Sequence, residues 1–296
     1  MFLLRESSEV VTENRTTSRI KRIMTHNLDD AKKKAASTYN TASDFYDHPA
    51  NTFWSRYGRQ TVERLRLVGG ERVLDVCCGS GASAIPAAES VGSTGSVVGV
   101  DLADNLLALA RSKAKDRGLT NIEFRSGDLT QLPLDDDCFD VVVCVFGIFF
   151  VPDMEVGLRE LKRVLRSGGK LAITTWGPRF FEPASTAFWE SVRDVRPDLY
   201  KGFNPWDRIS DVDAVCALLT SAGFDNVEAV AESGVQPVNS PDDWWAMIMG
   251  SGYRGTVAQL DPADRERVRL ANLSFITRTS LRSLESNVVY ATAEKN

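Results

Sequence analysis

The strongest constraint on the fold is a regular alternation of short apolar strands and helical segments between Glu71 and Thr175. Arg72-Val73-Leu74-Asp75-Val76 reads as a strand, and Gly79-Ser80-Gly81 then opens a helix of small residues. Ser96 to Asp101 is a second strand. Asn105 to Arg117 carries Leu106, Leu109 and Ala110 at helical spacing, with Gly118 as its stop. Asn121 to Arg125 and Phe139 to Phe146 are further strands, and the Val141-Val142-Val143 run suits a parallel strand buried on both faces. Pro152-Asp153 starts a helix with Leu158, Leu161 and Leu165 on one face, Gly168-Gly169 ends it, and Lys170 to Thr175 is a fifth strand. Right-handed crossovers leave few arrangements for such a repeat other than a doubly wound α/β sheet. Ligands then bind beyond the carboxyl ends of the strands, where Gly79, Asp101, Asp128 and Phe146 fall.

The flanks are less regular. Residues 1–34 are polar, end in Lys32-Lys33-Lys34 and are expected to form a mobile arm. Residues 35–69 read as an N-terminal helical cap containing Tyr39, Phe45, Tyr46, Phe53, Trp54 and Tyr57, ahead of the core at 70–176. Two aromatic-rich insertions, 177–211 and 241–283, flank a helix from Val212 to Ala222 and a strand from Val227 to Val238, and Asn287 to Ala293 closes as a strand. A chain of 296 residues accommodates all this as one domain over 35–296.

Net charge is -5, which argues against a general phosphate-binding surface and makes nucleic acid a poor partner. No apolar run approaches the roughly 18 to 20 residues that span a bilayer. The opening hydrophobic stretch is too short for a signal peptide. The five cysteines are odd in number and lack zinc spacing. The expectation is a cytoplasmic protein without a metal.

The loop from Asp75 to Gly81 joins a strand to a helix. Its glycines allow close backbone approach, and the helix N-terminus offers free N–H groups to an anion. Asp101 ends the next strand, where a carboxylate can accept hydrogen bonds from two ribose hydroxyls. Gly79-Ser80-Gly81-Ala82-Ser83-Ala84 also passes as a dinucleotide fingerprint, so this loop alone leaves a dinucleotide open.

The ordered segments VLDVCCGSG, GVDLADNLLALARSKA, FRSGDLTQLPLDDDCFDVVVCVFGIFF and LRELKRVLRSGGKLAITTW resemble the class I S-adenosylmethionine-dependent methyltransferases, and most closely the branch with the ubiquinone/menaquinone C-methyltransferases. The resemblance covers about residues 35 to 176. Ala36-Ser37-Thr38-Tyr39-Asn40 is similar to that branch's opening AxxYD segment, with Asn40 in place of Asp. The resemblance implies a mostly parallel seven-stranded Rossmann-like sheet with an antiparallel last strand; the two late insertions depart from the compact quinone enzymes and, with the N-terminal helical segment, are expected to form helical lids over the substrate. It implies that S-adenosylmethionine is bound through Asp75, Cys77, Gly79 and Gly81 at its methionine part and Asp101 at its ribose. Leu102 would lie beside the adenine, Gly127-Asp128 with Leu129 would meet its amino group, and Phe146 would lie near the sulfonium. Tyr39 would close over the cofactor. Cys77 stands where the family has a glycine, a change expected only to narrow the loop.

Methyl transfer to an aligned nucleophile needs no dedicated base, because the cofactor supplies the activated carbon. The two histidines, His26 and His48, both precede the core, and His48 is the candidate base, in competition with a turn role before Pro49. All six tryptophans and all six tyrosines lie outside residues 70–175. That distribution suits a lid over an apolar or aromatic substrate, with Trp176, Phe180, Trp206, Trp245 and Tyr253 as candidate lining. Arg179, Arg208 and Arg254 could hold a substrate carboxylate or phosphate. The expected activity is methylation of a small, mainly hydrophobic specialised metabolite. A quinone or lipid C-methyltransferase and a non-catalytic cofactor-sensing or partner-binding protein are the alternatives.

Overall fold

The computed structural model describes residues 30–296. Residues 1–29, including His26, lie outside the described residues. Helix α1 (residues 30–46) crosses the boundary expected at 34, so the Lys32-Lys33-Lys34 run is its first turns and not part of an arm. The helical cap expected over 35–69 breaks at His48, because Pro49 disfavours helical geometry in the residue before it. A short 3₁₀ turn (Pro49–Asn51) follows, then α2 (Thr52–Leu65).

The core alternates as the sequence predicts: β1 (Arg72–Val76), α3 (Ala84–Val91), β2 (Ser96–Asp101), α4 (Asp104–Asp116), β3 (Ile122–Ser126), β4 (Phe139–Val145), α5 (Met154–Val164) and β5 (Leu165–Trp176). The helix α5 stops before Leu165, which instead pairs with Phe139 and lengthens β5. Beyond it lie α6 (Ala184–Val195), α7 (Val212–Ser221), β6 (Asp225–Glu232), β7 (Val235–Pro237), α8 (Pro241–Met249), α9 (Arg254–Val257), α10 (Pro262–Thr279), β8 (Ser283–Glu285) and β9 (Val288–Glu294). The single strand expected over 227–238 therefore splits. A side chain at Gly234 would collide with the Tyr57 hydroxyl, and the chain leaves the main sheet there to pair β7 with β8.

The main sheet has seven strands in the order β3-β2-β1-β4-β5-β9-β6. Neighbours from β3 to β5 are parallel, and β9 inserts antiparallel between β5 and β6. The order reverses beside β1, so the carboxyl ends of β1 and β4 border the crevice where such sheets bind ligands. Over these ends lies a helical layer of α6, α8 and α10. Asn272 ties it together: fully buried, it accepts from Trp244 Nε1 (2.9 Å) and donates to Ser191 Oγ (3.0 Å). The N-terminal helices join the same layer through Trp54 Nε1, which donates to the carbonyl of Gly250 (3.3 Å).

Helix α2 seats on the glycine loop through Gly58. A methyl there would lie 2.5 Å from the carbonyl oxygen of Ala82. Helix propensity alone would make Gly58→Ala stabilising by about 1 kcal/mol. Overpacking against backbone costs about 1–3 kcal/mol and outweighs it. Urea unfolding is therefore expected to show a less stable Gly58→Ala variant, and a gain in stability would mean that α2 is not seated on this loop.

Candidate active site

The glycine loop is held from below and behind. Cys77, Gly79 and Gly81 take left-handed backbone angles, with φ of 59°, 52° and 85°. Only glycine adopts these without cost, so Cys77 is strained by roughly 1–2 kcal/mol. Its side chain turns towards β4, where Gly147 supplies the room: a methyl on Gly147 would sit 2.5 Å from Cys77 Cβ. The Cys144 thiol beside it and burial push the Cys77 thiol well above its ordinary value, so it is a packing group and not a nucleophile. A side chain on Gly79 would press on the Tyr46 hydroxyl at 3.0 Å, and one on Gly81 would press on Ile85 of α3.

Three carboxylates mark the strand ends. Asp101 accepts from the N–H of Gly79 (2.8 Å) and of Ala103 (2.8 Å), so it clamps the glycine loop onto the end of β2. Burial raises its carboxyl against the pull of these donors. Asp128 accepts from Lys32 Nζ (2.6 Å) and from the Thr130 N–H and hydroxyl. Burial pushes Asp128 up, but Lys32 and Thr130 together hold it below its usual range. Asp75 is fully buried, accepts from Ser83 Oγ (2.7 Å), and has a second oxygen, Oδ1, with no partner. Burial pushes its carboxyl up to about 7 against the Ser83 hydroxyl and the Ala84 N–H.

A cleft of about 100 Å³ opens over these ends, lined by Tyr39, Cys77, Gly79, Asp101, Leu102, Gly127, Asp128, Leu129 and Phe146. Helix α1 roofs it with Lys32, Ala35 and Ala36, while Tyr46 and Trp54 close one side, stacked at 5.0 Å. Asn40 fixes that roof: its side-chain oxygen accepts the N–H of Asn105 (2.9 Å) in the first turn of α4. An amide oxygen serves here as a carboxylate would.

A second cavity of about 540 Å³ adjoins the cleft and shares Ala35, Tyr39 and Phe150 with it. Its other walls include Phe149, Trp189, Phe203, Trp206 and Tyr253. That size lies within the roughly 300–1,000 Å³ usual for small-molecule sites.

The ubiE/COQ5 methyltransferase family matches residues 22–204. This chain belongs to that family. It is 31% identical over 210 residues to the demethylmenaquinone methyltransferase of Oceanobacillus iheyensis, covering 67% of this chain and 87% of that one. It is 37% identical over 194 residues to the aklanonic acid methyltransferase DauC of Streptomyces sp. (strain C5), covering 61% and 88%. The crystal structure of YcgJ from Bacillus subtilis shares the fold, with TM-score 0.55 and 19% identity over 81% of this chain and 99% of that one. The chain is an S-adenosylmethionine-dependent methyltransferase that acts on a small molecule.

The structure brings most of the expected cofactor residues of this methyltransferase to one cleft and moves several others. Asp75 and Gly81 are absent from the cleft wall: Asp75 lies beneath the loop facing Ser83, and Gly81 makes room for α3. His48 is exposed and remote from both cavities. Its Nδ1 accepts the Ala50 N–H (3.1 Å) as a helix cap, so it is not the base. Trp206 and Tyr253 line the second cavity, whereas Trp176, Phe180 and Trp245 do not. Trp176 stacks on Phe146 at 3.7 Å and packs tilted on Phe180 at 4.0 Å, which places Trp176 and Phe180 in the core. The three candidate arginines are all engaged: Arg179 with Glu285, Arg254 with Asp44, and Arg208 with the carbonyls of Phe149 and Pro152. Sequence reasoning missed Lys32, Phe149, Phe150 and Trp189, and only the helical phase of α1 and the aromatic run at 149–150 could have signalled them.

Asp75 makes stability depend on pH. Its folded-state value lies above the unfolded 3.8, so its contribution is full below that value and is lost as pH rises towards 7. Asp75→Asn removes the loss and keeps an acceptor for Ser83. Urea midpoints of the variant are expected to gain on the native protein more at pH 8 than at pH 5. An equal difference at both would show that Asp75 titrates normally.

Proposed function

We propose that this methyltransferase transfers the methyl group of S-adenosylmethionine to a small aromatic metabolite held in the second cavity. The observation that carries the reading is that this apolar cavity meets the cofactor cleft at Ala35, Tyr39 and Phe150. The residues present fit the cofactor. Asp101 is held at the cleft by two backbone donors and retains lone pairs for hydroxyl groups.

When bound, the cofactor supplies a methyl carbon activated by positive sulfur. Asp101 and Gly79 would hold its sugar side, Leu102, Asp128 and Leu129 its base, and Phe146 would flank the reacting end. Tyr39 separates the two cavities, and its burial beside Asp101 raises its phenol, which keeps the proton at neutral pH. No carboxylate or imidazole of the described residues lines the second cavity. Catalysis therefore rests on alignment and water exclusion, and the acceptor is one that needs no strong base.

Residues 35–296 read as one domain, supported by a continuous core from Tyr46 to Ala293 that includes both lids. No helix of the described residues is long and apolar enough to cross a membrane, and the five free cysteines support a reducing cytoplasm. The acidic net charge supports the absence of a nucleic-acid partner. A quinone acceptor is the second reading, favoured by the demethylmenaquinone methyltransferase relatives.

Calorimetric titration is expected to show binding of S-adenosylhomocysteine and none of NAD. Asp101→Asn should weaken that binding about 10- to 100-fold, since hydrogen bonds to a charged group contribute about 1.5–3 kcal/mol. Binding of NAD in its place, or an unchanged affinity in the variant, would overturn the placement of the cofactor.

A further inference from the structure

We propose that Lys34 and Lys201 anchor the carboxylate of an aromatic acid in the second cavity, an inference that rests on the methyltransferase reading of the site. Among the described residues the cavity lining holds Lys34, Lys201 and Arg208 and no acidic residue, in a chain whose net charge is -5. Arg208 spends its guanidinium on the carbonyls of Phe149, Val151, Pro152 and Pro205. The two lysines have no such engagement: neither forms an ion pair or hydrogen bond with the described residues. Both lysines are exposed at the cavity mouth, and Lys201 Nζ sits 5.4 Å from the centre of the Trp189 ring, a contact that leaves its three N–H donors free to meet a ligand.

Trp189 supplies an independent observation. It is 7% exposed, it forms part of the cavity wall, and its buried indole N–H has no partner. Buried indole N–H groups normally find an acceptor. Three cations thus line one largely apolar space to which the described residues contribute no counter-charge, and an unpartnered neutral donor is buried in its wall. Partial burial and the charge of Lys34 both pull Lys201 below the usual lysine value, as expected of like charges left without an anion between them.

This lining suits a group that is acceptor-only and negative, attached to a body that packs on Phe203, Trp206 and Tyr253. An aromatic carboxylate meets both demands. Neither lysine borders the cofactor cleft, so the carboxylate is an anchor and the methyl group goes to another atom of the substrate.

The test uses the full-length protein saturated with S-adenosylhomocysteine and titrated with 2-naphthoate and with the neutral 2-naphthamide. The acid is expected to bind about tenfold more tightly, and the preference should weaken with salt. Lys34→Met and Lys201→Met should each reduce the preference, and the double variant should abolish it while still binding S-adenosylhomocysteine. Equal affinities for the two probes, no binding of either, or a preference that survives the double substitution would overturn the proposal. Failure of S-adenosylhomocysteine itself to bind would instead sink the underlying reading.

Discussion

The stack of Phe146 on Trp176 is the contact through which the sheet, the N-terminal helices and the lid are joined. The two rings end adjacent parallel strands, β4 and β5, and lie 3.7 Å apart at an interplanar angle of 9°. Phe146 reaches that position through a left-handed backbone, and its N–H is satisfied by the carbonyl of Thr174. Phe53, Trp54 and Tyr57 of α2 then pack edge-on or tilted around the pair, and Phe180 and Phe181 continue it into the lid. Each aromatic pair adds about 0.5–1.5 kcal/mol beyond the area it buries. Filling the strand ends with rings has a geometric consequence. The crevice is plugged beside β5, and the substrate space is displaced towards α1, Phe149–Phe150 and α6.

The same displacement explains why α1 matters to both ligands. One face of this helix places Lys32, Ala35, Ala36 and Tyr39 over the cofactor cleft, and Lys34, Ala35, Thr38 and Tyr39 face the second cavity. Lys32 occupies the carboxylate of Asp128 in this structure, and the cleft beneath is only about 100 Å³. That is below the usual range for a ligand site, with α1 and the Lys32–Asp128 pair closing over it. Both partners are partly exposed, and such a pair contributes only about 0–1 kcal/mol. Asp47 forms a second tie, accepting from Ser80 Oγ and Lys113 Nζ, and it fixes the far end of α1 to the glycine loop.

The core was legible because its signals are local and repeated. Val141-Val142-Val143 can only be comfortable between two layers, and glycines at 79 and 81 mark backbone that other residues avoid. Asp101 and Asp128 followed from their places at strand ends. Asp75 did not behave in the same way, since a carboxylate near the end of β1 can face the start of α3 as readily as the cleft, and Ser83 decides which. The aromatic lid was legible as a composition but not as a surface. Trp176, Phe180 and Trp245 carry the same local signature as Trp206 and Tyr253, and only the packing of α6, α8 and α10 separates core rings from wall rings. His48 misled for a related reason: a histidine before proline offers a ring nitrogen to the following backbone, and that need is satisfied within three residues.

Division of labour along the chain explains why family membership settles the cofactor more firmly than the substrate. Residues 22–204 carry the family match, and they contain the whole cofactor cleft. The second cavity takes Pro205, Trp206, Arg208, Gly252 and Tyr253 from beyond that match. Methyl transfer from a cofactor that brings its own activated carbon asks little of the protein at the reacting atoms beyond alignment. Substrate choice can then be rewritten in the inserted segments without disturbing Asp101, the glycine loop or the Phe146–Trp176 stack. The cations at 34 and 201 lie within the family match, on the roof helix and the first insertion, yet neither borders the cofactor cleft.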